Sequence, residues 1–282
     1  MAKHKTHYEE CDVLVVGGGM AGTGATFEAR HWGRDLKIVC VEKANIDRSG
    51  AVAQGLYAIN CYMGMQWDEN QPEDHVRYAR NDLMGMVRED LGYDMARHVD
   101  STVHMFDEWG LPMMKNEKTG RYLREGKWQI MIHGESYKPI VAEAAKKSAD
   151  KIYNRIMITH LLMDESQENR IGGAVGFNKE SFQDPHLETV GWENFLGMTV
   201  CQAVVWASQN IDPKYTNPEL TTSEPYVMGS HATCSGAWVS GPEDLSPPEY
   251  FWGYNRMLTI DGLFGAGDTV GGSAHKFSSG SF

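Results

Sequence analysis

The sequence predicts an α/β fold built around a parallel sheet, and three observations carry that expectation. Residues 11–16 (CDVLVV) form a short apolar, β-branched run that leads directly into glycines. A helical stretch follows and stops at Gly33, and a second apolar run occupies 35–43 (DLKIVCVEK). Short continuous apolar runs of this kind suit strands buried on both faces, and strand–turn–helix–strand is a βαβ unit.

The remaining elements follow in order. Residues 70–86 (NQPEDHVRYARNDLMGM) read as a helix, with Pro72 in the first turn and acids beside it that suit the helix dipole. A second helix covers 91–110, where Leu91, Met95, Val99, Val103, Phe106 and Trp109 recur near a 3.6 period and Gly110 provides the stop. Residues 138–150 (KPIVAEAAKKSAD) predict another helix, and 154–164 (NRIMITHLLMD) a strand. The run 171–178 (IGGAVGFN) resembles one arm of a hairpin, yet the residues after it supply no returning strand. That predicts an unpaired edge with open backbone donors and acceptors. Residues 197–210 read as helix and 212–248 as a proline-punctuated loop region. An apolar run at 257–268 (MLTIDGLFGAGD) predicts a closing strand that ends on Asp268.

Size and composition narrow the function classes. The 282 residues are ample for a large core. A net charge of −12 provides no basic field for phosphates, so nucleic acid is disfavoured as a partner. The opening MAKHKTHYEECD lacks the apolar core of a secretory signal, and no uninterrupted apolar stretch approaches a membrane span. The expectation is a cytoplasmic protein. Five cysteines, Cys11, Cys40, Cys61, Cys201 and Cys234, stand far apart with no C-x-x-C pair. Such spacing argues against a disulfide framework, an iron–sulfur cluster or structural zinc in this chain, so no metal is expected.

Gly17-x-Gly19-x-x-Gly22 sits directly after the first strand and opens a helix. In that setting the glycines serve a tight turn, close backbone approach to a pyrophosphate and close packing of helix on strand. The helix N-terminus then faces the phosphates with its partial positive charge. Glu42 lies twenty residues after Gly22, at the end of the second strand, where a carboxylate can accept both ribose hydroxyls. Glutamate there disfavours a 2′-phosphate and hence NADP. The alternative is a glycine turn in an ordinary α/β domain.

FAD is favoured over NAD by two further segments. Residues 47–60 (DRSGAVAQGLYAIN) are rich in small residues, which let the backbone lie against a flat ring system. Lys43, Ser49, Gly50, Gln54 and Gly55 are the candidates here. At the other end of the chain, Gly265-x-Gly267-Asp268 places a carboxylate where it can bond a ribityl hydroxyl. Two glycine-rich segments converging from opposite ends of a chain suit the long FAD molecule.

With these residues in view the chain resembles the fumarate reductase and succinate dehydrogenase group of flavoproteins, and most closely the family of dissimilatory adenylylsulfate reductase α subunits. The resemblance rests on 55–64 (GLYAINCYMG), 132–146 (IHGESYKPIVAEAAK), 182–200 (FQDPHLETVGWENFLGMTV), 217–233 (NPELTTSEPYVMGSHAT) and 246–257 (SPPEYFWGYNRM). It implies a Rossmann-like FAD-binding domain of the fumarate reductase type with an incomplete capping domain. Residues 1–178 would form the N-terminal part of the FAD domain, 179–255 a capping remnant and 256–282 a shortened return to the FAD domain. Where succinate dehydrogenases carry a flavin-linked histidine, this chain reads Arg48-Ser49-Gly50-Ala51, so FAD would be held non-covalently.

The chemistry implied is the reduction of adenosine 5′-phosphosulfate by two electrons to sulfite and AMP, or its reverse, through a flavin N5–sulfite adduct. Electrons would come from an iron–sulfur β subunit. Three residues carry over from the family. Asn60 would lie near the flavin face as a neutral donor to sulfate oxygens. His231 would be a substrate-side cation, and Glu135 an acid at the substrate channel. Judged without the family, each is more often a structural residue. Ser278, Ser279 and Ser281 would lead into a helix whose amides face the flavin pyrimidine edge.

The pattern also departs from the family. A large family stretch has no counterpart between Asn178 and Lys179, including a second glycine-rich turn, a substrate-binding arginine and much of the cap. The chain also stops before the helix that would follow Ser281. Three readings stay open: a reductase subunit whose sequence is incomplete, an inactive FAD-binding remnant of it, and a fumarate reductase-like dehydrogenase.

Overall fold

The computed structural model describes residues 6–54, 58–67, 69–178 and 236–272. All of these except Asn178 belong to one unit formed by Met1–Phe177 and Ser230–Phe282; Asn178–Gly229 is grouped separately.

The predicted βαβ unit opens the fold. β1 (Val13–Val16) leads into α1 (Met20–Trp32), and β2 (Ile38–Glu42) returns parallel to β1 with Val15 opposite Cys40. All five residues of β2 are buried, as an apolar run flanked on both sides must be. Its second neighbour is β6 (Lys151–Asn154), again parallel, with Cys40 opposite Ile152. This third strand escapes the sequence pattern because KIYN is short, carries two polar residues and has no fully buried position.

The helices follow their stop signals. α2 (Pro72–Asp82) starts at a capping box in which the Gln71 side chain and Asp74 exchange bonds with each other's backbone amides. It is shorter than the predicted 70–86, because Met84 and Gly85 adopt positive φ. α3 (Glu89–Glu108) buries Leu91, Met95, Val99, Val103 and Phe106 along the predicted stripe, and Gly110 leaves it at φ +88°. α4 (Tyr137–Ser148) packs on α1. A small antiparallel sheet joins β3 (Ala58–Ile59), β5 (Gln129–Met131) and β4 (Arg124–Glu125). Its apolar side meets α3 in the main core, around Ile59, Tyr62, Phe106, Ile130 and Tyr137.

Two expectations need correction. The strand at Ile171–Asn178 (β8) is paired: its partner is β7 (Ile156–Met163), so the hairpin's first arm lies upstream of it. The run 257–268 is not a strand. Leu258 N–H bonds the Leu263 carbonyl at 2.8 Å and Gly262 sits at φ +76°, so the apolar run folds back on itself in a tight turn. The helix predicted at 197–210 lies outside the described residues.

Residues 236–257 are clamped to the start of α3. The Arg88 guanidinium is buried, donates to both carboxylate oxygens of Asp90 (2.8 and 2.6 Å) and to the Val239 carbonyl (3.1 Å), and lies 4.5 Å from each of the Trp238 and Tyr250 ring centres. Ser246 Oγ donates to the same Asp90 at 2.7 Å. Burial pushes the Asp90 carboxyl up, but bonds from Arg88 and Ser246 hold it below its ordinary value.

Candidate cofactor site

The site begins where β1 ends. Gly17 turns the chain at φ +102°, and its N–H bonds the Val41 carbonyl at 2.8 Å, fixing the turn to β2. A Cβ on Gly22 would lie 1.7 Å from the Gly17 carbonyl oxygen, so only glycine lets α1 start this close to the turn. Gly19 caps α1 in an extended conformation, with no side chain on the first amides and no acid in the first turn. The amides therefore present their partial positive charge with no competing carboxylate from α1 itself.

A second wall comes from the residues after β2. Ser49, almost fully buried, donates from Oγ to the Gly18 carbonyl at 2.8 Å. Gly50 (φ +76°) passes so close that an added Cβ would lie 2.9 Å from Gly19 Cα. Glu42 is buried beneath both walls. Its Oε2 accepts from the Gly18 amide at 2.5 Å and its Oε1 from the Ala44 amide at 2.7 Å. The predicted ribose acceptor is thus also the group that braces the glycine turn. Lys43 is exposed.

The other candidates are distributed as follows. Gln54 closes the 3₁₀ turn Ala51–Gln54, which touches the turn Gly134–Ser136 carrying the exposed Glu135. Asn60 is buried directly after β3. Gly267 (φ +60°) opens the turn Gly267–Thr269, which meets α1 and exposes Asp268. The two glycine-rich segments therefore do reach the same helix. Gly55, His231, Ser278, Ser279 and Ser281 lie outside the described residues.

Sequence reasoning passes over Lys138. It sits 1% exposed on the stripe of α4 formed with Val141, Ala142 and Ala145, and its Nζ donates to the Ile46 carbonyl. Burial lowers its amine to about 8, against the opposing pull of Glu42, Asp47 and Cys40. The available signal is a lysine at an apolar position of a helical stripe. Among the described residues no helix is long and apolar enough to cross a membrane.

This cradle fits an FAD. An added Cβ would meet nothing within 4 Å at Gly17, which leaves room for a backbone-hugging pyrophosphate, while the close contacts at Gly22 and Gly50 admit no side chain, and the buried carboxylate offers only acceptors. Comparison with known proteins agrees. The model of the FAD binding domain family matches residues 12–241. Adenylylsulfate reductase subunit alpha of Megalodesulfovibrio gigas is 33% identical, over 96% of this chain and 68% of its own length. That alignment runs over 454 positions, far beyond the 282 residues of this chain, so a long stretch of the relative lies opposite nothing. The 8-methylmenaquinol:fumarate reductase flavoprotein subunit of Wolinella succinogenes is 26% identical over 56% of this chain and 26% of its own. A solved adenosine-5-phosphosulfate reductase in complex with sulfite, as a covalent adduct, superposes with a TM-score of 0.76 at 34% identity, covering 96% of this chain and 67% of that one.

Proposed function

Because this chain belongs to the FAD binding domain family and, within it, to the adenylylsulfate reductase α subunits, we propose that it is the FAD-carrying subunit of an oxidoreductase interconverting adenosine 5′-phosphosulfate with sulfite and AMP. The observation that carries this reading is the Gly17–Gly22 turn braced by Glu42 at the N-terminus of α1. Bound FAD supplies the two-electron chemistry. The chain's own residues bind and orient. Gly17, Gly19 and Gly22 let the pyrophosphate approach, and Ser49 and Gly50 wall it in. Glu42 accepts from the ribose, and Asp268 accepts from the ribityl chain beside Gly267. Lys43, Gln54, Gly55, Ser278, Ser279 and Ser281 complete the cofactor contacts.

On the substrate side, Asn60 donates to the sulfonyl oxygens, and His231, protonated, offsets their negative charge. Glu135 orients neighbouring side chains at the substrate channel. Electrons pass from a β subunit carrying iron–sulfur clusters, and the assembly works in the cytoplasm. Residues 1–178 and 256–282 form the cofactor domain, and 179–255 what is present of the cap.

A second reading is favoured by the long stretch of the relative that has no counterpart in this chain: a protein that holds FAD without turning over. One experiment separates the two. The purified 282-residue chain is reconstituted with FAD, and its visible spectrum is recorded with and without sulfite. Bleaching by sulfite supports the reductase reading. A flavin spectrum indifferent to sulfite supports the remnant, and a chain that stays colourless sinks both.

A further inference from the structure

We propose that Lys138 is a positioning residue of the cofactor site, holding the turn Ile46–Arg48 in place and setting a positive charge beneath the cradle. The proposal rests on the reading that this site takes FAD.

The geometry runs as a chain of contacts from α4 to the glycine turn. Lys138 Nζ donates to the Ile46 carbonyl, while the Ile46 amide donates to Asn154 Oδ1 at 2.9 Å. Residue 46 is therefore fixed from both sides. Its side chain is 1% exposed and reaches to within 3.0 Å of where a Cβ on Gly18 would stand. Three residues later, Ser49 Oγ bonds the Gly18 carbonyl, and Gly50 abuts Gly19. Displacing the turn 46–48 therefore displaces the wall that faces the phosphates.

Packing alone does not explain a lysine here. A methionine of similar reach would fill the same space among Val141, Ala142 and Ala145 without the cost of burying an ammonium. The charge has electrostatic work to do. Glu42 and Cys40 face it from β2, Asp47 from the turn and Lys146 from its own helix. Asp47 is already paired with Lys146 at 2.5 Å. Both Glu42 oxygens accept from backbone amides, which carry no net charge to offset the carboxylate. Lys138 is the cation that offsets the buried Glu42, and a dianionic pyrophosphate brought to the end of α1 strengthens the need for it. The amine sheds its proton at about 8, while burial pushes the Cys40 thiol up to about 11, so the thiol stays neutral across that window.

The test is the FAD affinity of the full chain between pH 6.5 and 9.5, read by quenching of flavin fluorescence, for the unaltered protein, Lys138→Gln and Lys138→Met. The unaltered chain should lose affinity several-fold as pH rises through 8. Both variants should bind about tenfold more weakly at pH 7 and show no fall across that window. A residue that merely filled space would weaken binding without flattening the profile. Folded variants, by far-UV circular dichroism, that keep the fall above pH 8 overturn the proposal. If neither variant folds, the unaltered chain decides: a flat profile overturns it and a fall supports it. Failure to bind FAD at any pH is a different result, sinking the cofactor reading and the proposal together.

Discussion

The Gly18 amide donates to Glu42 Oε2 at 2.5 Å, so the acid at the end of β2 and the glycine turn after β1 form one braced unit. Removing the carboxylate therefore does two things at once. Glu42→Ala should lower FAD affinity by about 10–100-fold, because a buried amide loses its acceptor and, in the function proposed above, the ribose loses its own. Glu42→Gln keeps one carbonyl acceptor and should lose less. Equal losses, measured by fluorescence titration, would count against the double role.

Glycine positions differ sharply in what they tolerate. Gly22→Ala drives a methyl to 1.7 Å from the Gly17 carbonyl oxygen and should cost about 3 kcal/mol or more, with FAD binding lost. Gly19→Ala meets only Gly50 Cα, at 3.6 Å, and should keep the melting temperature within a few degrees. Thermal melts of both variants check the contrast.

Arg88 and Asp90 form a nearly buried pair that ties 236–257 to α3. Arg88→Met strands the Asp90 carboxylate and should destabilise by about 3–5 kcal/mol in urea melts. The double change Arg88→Met/Asp90→Leu should recover part of that loss. A single variant within 1 kcal/mol of the parent, on the order of the ordinary surface effect, would refute the clamp.

Alkaline stability should rise and then fall. Lys138 sheds its proton at about 8 when folded but at 10.5 when free, so the unfolded chain holds more protons and stability climbs between those values. Burial raises the Cys40 thiol from 9.0 to about 11 and the Tyr62 phenol from 10.0 to about 12. Above pH 9 the unfolded thiol, and above pH 10 the unfolded phenol, ionises first, and together they outweigh the Lys138 gain as pH rises toward 11. Each pKa unit is worth at most about 1.4 kcal/mol. Urea midpoints at pH 7.5, 9.5 and 11 test the sequence, and a steady decline from 7.5 would contradict it.

Much of the fold is legible in the residues. The βαβ unit and the stripe of α3 can be read because burial imposes a period and glycines end the elements. β6 cannot, since one exposed and three half-buried residues carry no pattern. The run at 257–268 misleads because apolar content does not show where a tight turn at Gly262 will fold it back. β8 reads as unpaired when a returning strand is sought after it, because its partner, β7, lies upstream. At the site, the glycines and Glu42 declare themselves by spacing. Lys138 does not, because its role depends on Ile46, ninety-two residues away in sequence.

Cys40 stands in mid-sheet, opposite Val15 on one side and Ile152 on the other, fully buried and with its thiol pushed up to about 11. An alkylating reagent cannot reach that sulfur until β2 parts from a neighbour, and the thiolate is scarce until then. The rate at which Cys40 is labelled in native buffer thus times the opening of the central strand. A cofactor seated across the ends of β1 and β2 should slow that clock.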